Sequence, residues 1–264
     1  MTKKKVVYIG YSERMLQSLM ESNRFQLEKI VYVPHRVNSL YLSFLKEFTG
    51  KILEINTKEE VARIDSFVSD DEVAVMYKFE YILPKQMVDN HRIINFHGGY
   101  LKTNRGAHAV VRSILNMDES TALSMYELTG GIDVGKLIAE HIVELDNNET
   151  PQVLNDKLQE GIPSLLDKLD LYLNGEIDAI LVEGGKYYQK VQPSDYTIDP
   201  ECDSFEKVYA ILRSQVGYGG ALLKVGDEIK PVLSWNLSYD KYNEVKERQV
   251  VMINSEGQCL IIKF

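Results

Sequence analysis

The residues with the clearest chemical potential lie in the stretch INFHGGYLKTNRG, at positions 94–106. A predicted strand, RIINFH, ends in this stretch, and the two-residue repeat of a strand places the side chains of Asn95 and His97 on one face. An asparagine amide can donate to a developing oxyanion, and a histidine can exchange a proton near neutral pH. The pair therefore indicates acid–base or acyl-transfer chemistry. The alternative is that His97 is only a hydrogen-bonded residue at a strand end.

A second candidate, Asp133, follows the predicted strand TALSMYEL in the stretch TGGIDVG. Gly130 and Gly131 have no side chains, so this loop can bring its backbone close to a flat ligand. The alternative is a simple turn, since aspartate is common in turns. One glycine pair is weak evidence by itself. The combination of two strand-end motifs, Asn-x-His and Gly-Gly-x-Asp, is more indicative of a site.

The elements that would position these residues alternate between strand and helix. This pattern predicts an α/β fold with a Rossmann-like, mostly parallel sheet flanked by helices. Ligands of such sheets collect at the carboxyl ends of the strands, where the two motifs lie. The first turn has a single glycine, Gly10, and lacks G-x-G-x-x-G, so we expect no dinucleotide there. A later helix beginning after Thr150 should kink or break at Pro163.

After Gly175 the sequence becomes polar and rich in turn-forming residues, and short apolar runs follow. We therefore predict three parts: a catalytic α/β domain at 1–183, a linker at 184–204, and a small β-rich C-terminal domain at 205–264. The C-terminal domain could also form a homodimer contact.

Composition narrows the class of protein. The chain has 264 residues, 44% of them hydrophobic and 26% charged, as in ordinary globular proteins. Its net charge of −9 argues against binding nucleic acid over a large surface. Two cysteines make no disulfide framework, and we assign no metal site. The apolar run at the N-terminus is too short for a signal peptide, and no run approaches the roughly 18 residues of a membrane span. We expect a cytoplasmic protein without membrane partners.

The motifs resemble those of the folate-dependent formyltransferases, whose pattern runs Asn-x-His-x-Ser-Leu-Leu-Pro-x-x-Arg-Gly followed by a loop ending Asp-x-Gly. The segment MYKFEYILPKQMV is similar to the folate-loop segment of that family, and the resemblance covers most of residues 1–180. ILRSQVGYGGALLKVGDEIK is similar, more weakly, to the start of the small β domain of some members. The matching positions are Asn95, His97, Leu101, Arg105, Gly106, Asp133 and Gly135. The Ser-Leu-Leu-Pro of the family is Gly99-Tyr100-Leu101-Lys102 here, so this loop departs from the family pattern beside the expected acceptor pocket.

The resemblance implies formyl transfer from 10-formyltetrahydrofolate, a co-substrate, to an amine. Asn95 would donate to the formyl oxygen as it becomes negative, His97 would accept the amine proton or stabilise that oxygen, and Asp133 would orient and support His97 or relay a proton through water. No acylated nucleophile is needed. The resemblance also implies that backbone groups read the folate and that Tyr100, Lys102 and Arg105 face the acceptor, although Arg105 could equally be a structural partner. The expected folate-binding residues are Phe79, Glu80, Tyr81, Ile82, Leu83, Leu128, Thr129, Gly130 and Gly131.

The acceptor expected from this resemblance is a nucleotide-linked amino sugar, such as a dideoxy amino sugar used in polysaccharide biosynthesis. Acidity argues against a methionyl-tRNA formyltransferase. Two further functions stay open: a formyltetrahydrofolate hydrolase, with water as acceptor, and a catalytically inactive binding protein. An aromatic residue is expected to stack on the base of the nucleotide, and four candidates cannot be separated from sequence: Tyr187, Tyr188, Tyr196 and Tyr218.

Overall fold

The structure is a computed structural model that describes residues 2–131, 133–182, 184–238 and 246–264. The described residues fall into two compact units. The first unit comprises segments 1–106, 122–143 and 157–187, and the second comprises 107–121, 144–156 and 188–264. The predicted boundaries at 183 and 204 stay a prediction, and residue 183 itself lies outside the described residues.

The first half of the chain builds the parallel part of a sheet. Apolar runs form its strands, and the residues from Val6 to Ile9 are fully buried, as expected for a strand covered on both faces. Each neighbouring pair of these strands runs parallel. The strands are β1 (Lys4–Gly10), β2 (Phe25–Tyr32), β3 (Lys51–Glu54), β4 (Val73–Tyr77) and β5 (Ile93–His97).

The connections between these strands carry helices with one apolar side. In the first helix Met15, Leu16 and Leu19 are buried, each contributing about 1.5–3 kcal/mol if fully removed from water. Asn38 caps the second helix, since its side chain accepts from the Tyr41 N–H. The helices are α1 (Glu13–Met20), α2 (Ser39–Glu47), α3 (Arg63–Phe67) and α4 (Lys85–Asn90).

The sheet continues past β5 with strands that include antiparallel pairs. The next elements are β6 (Arg105–Gly106), α5 (Ala109–Leu115), β7 (Ser120–Leu128), β8 (Gly135–Glu144) and β9 (Ile180–Leu181). Among the described residues, the strand order is β3-β2-β1-β4-β5-β7-β8-β9. The β5–β7 and β8–β9 pairs are antiparallel. The predicted mostly parallel α/β sheet is confirmed, with an antiparallel edge that the sequence did not predict.

The predicted break near Pro163 is confirmed. Helix α6 (Pro151–Gln159) ends before Gly161, and helix α7 (Ile162–Leu173) begins beyond it with Pro163 in its first turn, where a missing N–H costs least. The leucines predicted to mark the buried side are buried: Leu154, Leu158, Leu165, Leu166 and Leu169.

The second unit has its own apolar core, in which Val208, Leu223 and Leu260 are fully buried. Helix α8 (Phe205–Ser214) packs there beside two small sheets. None of the described helices is long and apolar enough to cross a membrane. The remaining strands are β10 (Tyr187–Tyr188), which pairs with β6, and β11 (Thr197–Ile198), β12 (Leu222–Val225), β13 (Glu228–Pro231), β14 (Ser234–Ser238), β15 (Gln249–Ile253) and β16 (Cys259–Lys263).

The turn from β1 into α1 is tightly packed. Gly10 has a φ of 150°, and a Cβ at this position would lie 1.8 Å from the carbonyl oxygen of Tyr77. The Ser12 N–H donates to the Tyr8 hydroxyl at 2.8 Å, while the Ser12 hydroxyl donates to Gln159 Oε1 at 2.7 Å and accepts from the Met15 N–H. Protein groups therefore occupy the N-terminus of α1.

Candidate active site

Asn95 and His97 lie at the carboxyl end of β5, and both are more than nine-tenths buried. Their side chains share one face of the sheet because they are two residues apart on a strand. The antiparallel register places Tyr126 opposite Asn95 and Ser124 opposite His97. Directly opposed residues have neighbouring side chains on the same face, so these four side chains form one cluster.

Asp133 joins this cluster from the loop between β7 and β8. Its Oδ1 lies 3.6 Å from His97 Nδ1, which is too long for a strong hydrogen bond and close enough for an ion pair with a protonated imidazole. Its Oδ2 accepts from the Gly106 N–H at 2.8 Å. The backbone of Asp133 is left-handed, with a φ of 50°, which aspartate tolerates better than most residues. The structure thus brings Asn95, His97 and Asp133 together, and their catalytic roles stay predictions.

The surroundings of His97 define which ring nitrogen can exchange a proton. Nε2 lies 2.7 Å from the carbonyl oxygen of Asn104. A carbonyl oxygen can only accept, so Nε2 carries a hydrogen in this arrangement. The nitrogen available to accept a further proton is Nδ1, which faces Asp133. A proton accepted there would lie between the imidazole and the Asp133 carboxylate.

Sequence reasoning missed Tyr126. This residue is fully buried, accepts a hydrogen bond from Asn95 Nδ2 at 2.6 Å and donates to Asp133 Oδ1 at 2.8 Å. Burial and the nearby charge of Asp133 hold the pKa of the Tyr126 hydroxyl well above its ordinary value, so it keeps its hydrogen. No local motif marks Tyr126; only the register of β5 against β7 reveals it.

The loop that follows His97, residues 98–106, forms one wall of the cluster. The Ser124 hydroxyl lies 2.8 Å from the carbonyl oxygen of Gly99 and 2.8 Å from Glu140 Oε1. In the middle of the loop, the Lys186 N–H donates to the carbonyl oxygen of Lys102 at 2.9 Å, and near its end the Arg105 N–H donates to the carbonyl oxygen of Lys186 at 3.1 Å. Hydrogen bonds along its length therefore hold the loop, although it lacks the serine and proline of the family pattern.

The predicted acceptor-binding residues occupy this loop. Tyr100 is half-buried, and Lys102 is exposed. Arg105 donates from Nη2 to the carbonyl oxygen of Gly185 at 3.0 Å, and its backbone N–H donates to the carbonyl oxygen of Lys186. The Arg105 guanidinium therefore has the structural contact that was its alternative role. A role for Tyr100, Lys102 and Arg105 in acceptor binding stays a prediction.

The first predicted folate segment, residues 79–83, connects β4 to α4 outside helix and strand. Phe79 and Tyr81 pack edge to face with ring centroids 5.7 Å apart, and Leu83 is buried in the core. Glu80 pairs with His35 and Arg36. Ile82 is 69% exposed. The partly buried Phe79 and the buried Leu83 thus hold a segment whose backbone lies outside helix and strand.

The second predicted folate segment, residues 128–131, leads directly into Asp133. Leu128 packs against the core, and the Thr129 N–H donates to the carbonyl oxygen of Val134 at 3.2 Å, which closes the turn. Gly130 has a φ of 101°, and among the described residues no atom beyond Gly130 and its two chain neighbours lies within 4 Å of where its Cβ would be. This turn therefore presents bare backbone toward open space, as a flat ligand requires. Folate binding at both segments stays a prediction.

The four candidate tyrosines differ in exposure. The Arg112 guanidinium lies over the Tyr188 ring, and the Tyr188 hydroxyl accepts from Asn116, so this tyrosine already makes contacts within the protein. Tyr196 packs against the core of the second unit. Tyr187 and Tyr218 are 45% and 51% exposed. Among the described residues, no group of three or more His, Cys, Asp or Glu forms a metal site.

Comparisons with known proteins agree with this chemistry. Residues 45–167 match the model of the formyl transferase family. A methionyl-tRNA formyltransferase from Prochlorococcus marinus (strain MIT 9515) is 26% identical over 226 residues, covering 76% of this chain and 69% of the relative. The fold is therefore that of a formyl transferase.

Solved structures share this fold. WlaRD, a sugar 3N-formyl transferase solved in the presence of dTDP and 5-N-formyl-THF, matches with a TM-score of 0.72 and 15% identity, covering 100% of this chain and 98% of WlaRD. HypX from Aquifex aeolicus in complex with tetrahydrofolic acid matches with a TM-score of 0.68 and 12% identity, covering 98% of this chain. The chain spans only 44% of HypX. The predicted resemblance to folate-dependent formyltransferases is confirmed, as is the prediction of a formyl-transferring enzyme.

Proposed function

We propose that the chain transfers a formyl group from 10-formyltetrahydrofolate to the primary amine of a nucleotide-linked amino sugar. The observation that carries the formyl-transfer part is the cluster of Asn95, His97 and Asp133 at the carboxyl end of the sheet. When bound, the folate supplies the formyl group, whose bond to N10 breaks as the bond to the amine nitrogen forms. The amine loses one proton and N10 gains one, so the transfer needs no further reactant.

Asn95 supplies a donor to the formyl oxygen as negative charge develops there. A buried, preoriented donor costs no reorganisation during the reaction, and deleting one typically lowers turnover by about 100- to 1,000-fold. His97 accepts the amine proton at Nδ1, since Nε2 is engaged with Asn104. Asp133 stabilises the resulting imidazolium from 3.6 Å. The chain needs no covalent nucleophile.

The folate fits the two backbone segments on either side of this chemistry. Residues 79–83 offer peptide groups outside helix and strand, and Gly130 leaves its backbone uncovered where a side chain would otherwise project. Backbone groups pair with a flat heterocycle as well as side chains do. The predicted positions of folate binding therefore have suitable chemistry.

The acceptor is proposed from charge and from the structural relatives. A net charge of −9 suits a small anionic substrate held in one pocket better than a long phosphate backbone. WlaRD, which covers the whole of this chain, is a sugar formyl transferase. A specific observation favours a second candidate, because the Prochlorococcus relative is a methionyl-tRNA formyltransferase.

The deciding experiment is a formylation assay with 10-formyltetrahydrofolate against a panel of nucleotide-linked amino sugars and against charged initiator tRNA, at physiological salt. Product mass identifies the formylated species. We expect formylation of at least one amino sugar and none of the tRNA, with the His97→Asn variant as the inactive control.

Every remaining outcome has a distinct meaning. Formylation of the tRNA alone would establish the second candidate. Release of formate with no formylated amine would indicate a hydrolase. Tight folate binding without either reaction would indicate a binding protein, and each of these results would overturn the proposed acceptor.

A further inference from the structure

A hydrogen-bonded chain with one possible direction runs through the active-site cluster. It starts at the Asn95 amide, passes through the Tyr126 hydroxyl at 2.6 Å and ends on Asp133 Oδ1 at 2.8 Å. Asn95 and Tyr126 are opposite each other on β5 and β7, and both are buried. The chain is therefore shielded from most competing water.

The direction follows from the hydrogens available. An ionised Asp133 only accepts, and its other oxygen already accepts from the Gly106 N–H. The Tyr126 phenol has one hydrogen, which it gives to Asp133. The Tyr126 oxygen must then accept, and only the nitrogen end of the Asn95 amide can donate to it. A reversed amide would place two oxygens 2.6 Å apart with no hydrogen between them.

Resting on the proposed function, we propose that Tyr126 is a positioning residue that locks the Asn95 amide with its nitrogen toward the reacting group. Asn95 Nδ2 has two hydrogens and Tyr126 takes one, which leaves the second for the formyl oxygen. A donor to the formyl oxygen must be a nitrogen, because an amide oxygen there would repel the developing charge. Tyr126 acts through Asn95 and does not itself contact the substrate.

The first test is the Tyr126→Phe variant, which removes the hydroxyl and keeps the ring. We expect kcat to fall by about 10- to 100-fold, less than the loss from deleting an oxyanion donor outright, while the KM for folate changes little. Tyr41→Phe is the matched control: Tyr41 is equally buried, and its hydroxyl donates to the carbonyl oxygen of Gly10 at 2.8 Å. Normal kcat in Tyr126→Phe would overturn the proposal.

A double-mutant cycle separates positioning from general structural damage. If Tyr126 acts through Asn95, then Tyr126→Phe should cost less than about 2-fold once Asn95→Ala is present, because residues that act as one unit are not additive. If the tyrosine only supports the fold, its full effect should persist in that background. Persistence would count against the positioning role.

A third measurement needs no acceptor. In protein labelled with 15N at asparagine, the side-chain amide signal missing from Asn95→Ala identifies Asn95. That signal should shift and exchange faster with solvent in Tyr126→Phe, and should remain unchanged in Tyr41→Phe. An unchanged Asn95 signal in Tyr126→Phe would refute the lock. If the wild-type enzyme formylates no amino sugar, the proposed function is wrong. The NMR result then still tests whether Tyr126 orients the Asn95 amide.

Discussion

At the scale of single residues, His97 has the most demanding proposed role. One nitrogen is fixed against a backbone carbonyl, and the other faces a carboxylate. The same surroundings therefore orient the ring and stabilise it after it accepts a proton. The role can be tested without disturbing the fold, because asparagine is smaller than histidine and also donates a hydrogen bond.

We predict that His97→Asn lowers kcat by roughly 100- to 10,000-fold, the usual contribution of general acid–base catalysis. Folate affinity should hardly change, since the proposed folate contacts are backbone groups elsewhere. Steady-state kinetics of the variant, with folate affinity measured separately, checks both expectations.

The control for this prediction is His91→Asn. His91 is also buried and bonded to a carboxylate, with its Nε2 3.0 Å from Asp65 Oδ1, but it precedes β5 and lies at the opposite end of that strand from the cluster. Its variant should retain turnover. Near-normal turnover in His97→Asn would mean that water or the acceptor removes the proton.

Local sequence was enough to predict that Asn95, His97 and Asp133 lie together, because short motifs at strand ends mark them as candidates. It could not predict a role for Tyr126, because what marks this residue is its position opposite Asn95 in the sheet. That pairing joins positions 31 residues apart and depends on β7 running antiparallel to β5. The register depends on how the two strands pair, so it cannot be read from the residue pattern of either strand alone.

At the scale of elements, the loop at 98–106 is held by contacts that its own sequence does not suggest. Glycine at position 99 should loosen it, yet the Gly99 carbonyl oxygen lies 2.8 Å from the Ser124 hydroxyl, which also contacts Glu140. The hydroxyl has one hydrogen and two acceptors, so these two contacts compete. The sheet thereby supplies part of the order that the loop lacks.

We predict that Ser124→Ala raises the KM for the amine acceptor roughly 2- to 10-fold, equivalent to the ~0.5–1.5 kcal/mol of one hydrogen bond, and leaves the KM for folate unchanged. Steady-state kinetics with each substrate varied in turn measures this split. Ser113→Ala is the control, because that buried hydroxyl bonds to Thr121 instead of to the loop. Equal changes in both KM values would show that Ser124 does not act through the loop.

At the scale of the whole molecule, ion pairs join distant parts of the first unit. Asp170 on α7 is bonded to Lys4 at the start of β1 and to Arg24 at 3.1 Å. The hydrogen bond from Lys4, followed by that from Arg24, lowers the pKa of the Asp170 carboxyl. A lowered pKa in the folded state stabilises the fold above the unfolded value, near 4, and the stabilisation is lost as the pH falls through the folded value.

We therefore predict that Asp170→Asn lowers the free energy of unfolding by about 0.5–1 kcal/mol at pH 7. The difference from wild type should shrink as the pH falls below about 4, because protonation of Asp170 in the unfolded chain then offsets the ionic stabilisation, and it should vanish once the pH has fallen through the lowered pKa of the folded state. Denaturant unfolding at several pH values measures it. Asp167→Asn, which removes a more exposed partner of Arg24, should have a smaller effect. A difference that is constant with pH would exclude the ionic origin.

The overall class of fold was predictable because strands and helices alternate along residues 1–100, and their apolar periods differ. The sequence did not predict which segments make up each of the two compact units. Segments 107–121 and 144–156 fall in the second unit, although they flank strands of the first. A division drawn along the chain cannot assign such segments, because their membership depends on packing between residues far apart in sequence.

The packed turn between β1 and α1 has a consequence for how this enzyme can hold phosphate. In many proteins of this architecture a helix end with free N–H groups binds the anion. Here Tyr8, Ser12 and Gln159 fill that position from within the first unit. Under the proposed function, the diphosphate of a nucleotide sugar would therefore bind away from this helix end, and any contribution of charged side chains there would make its affinity sensitive to ionic strength.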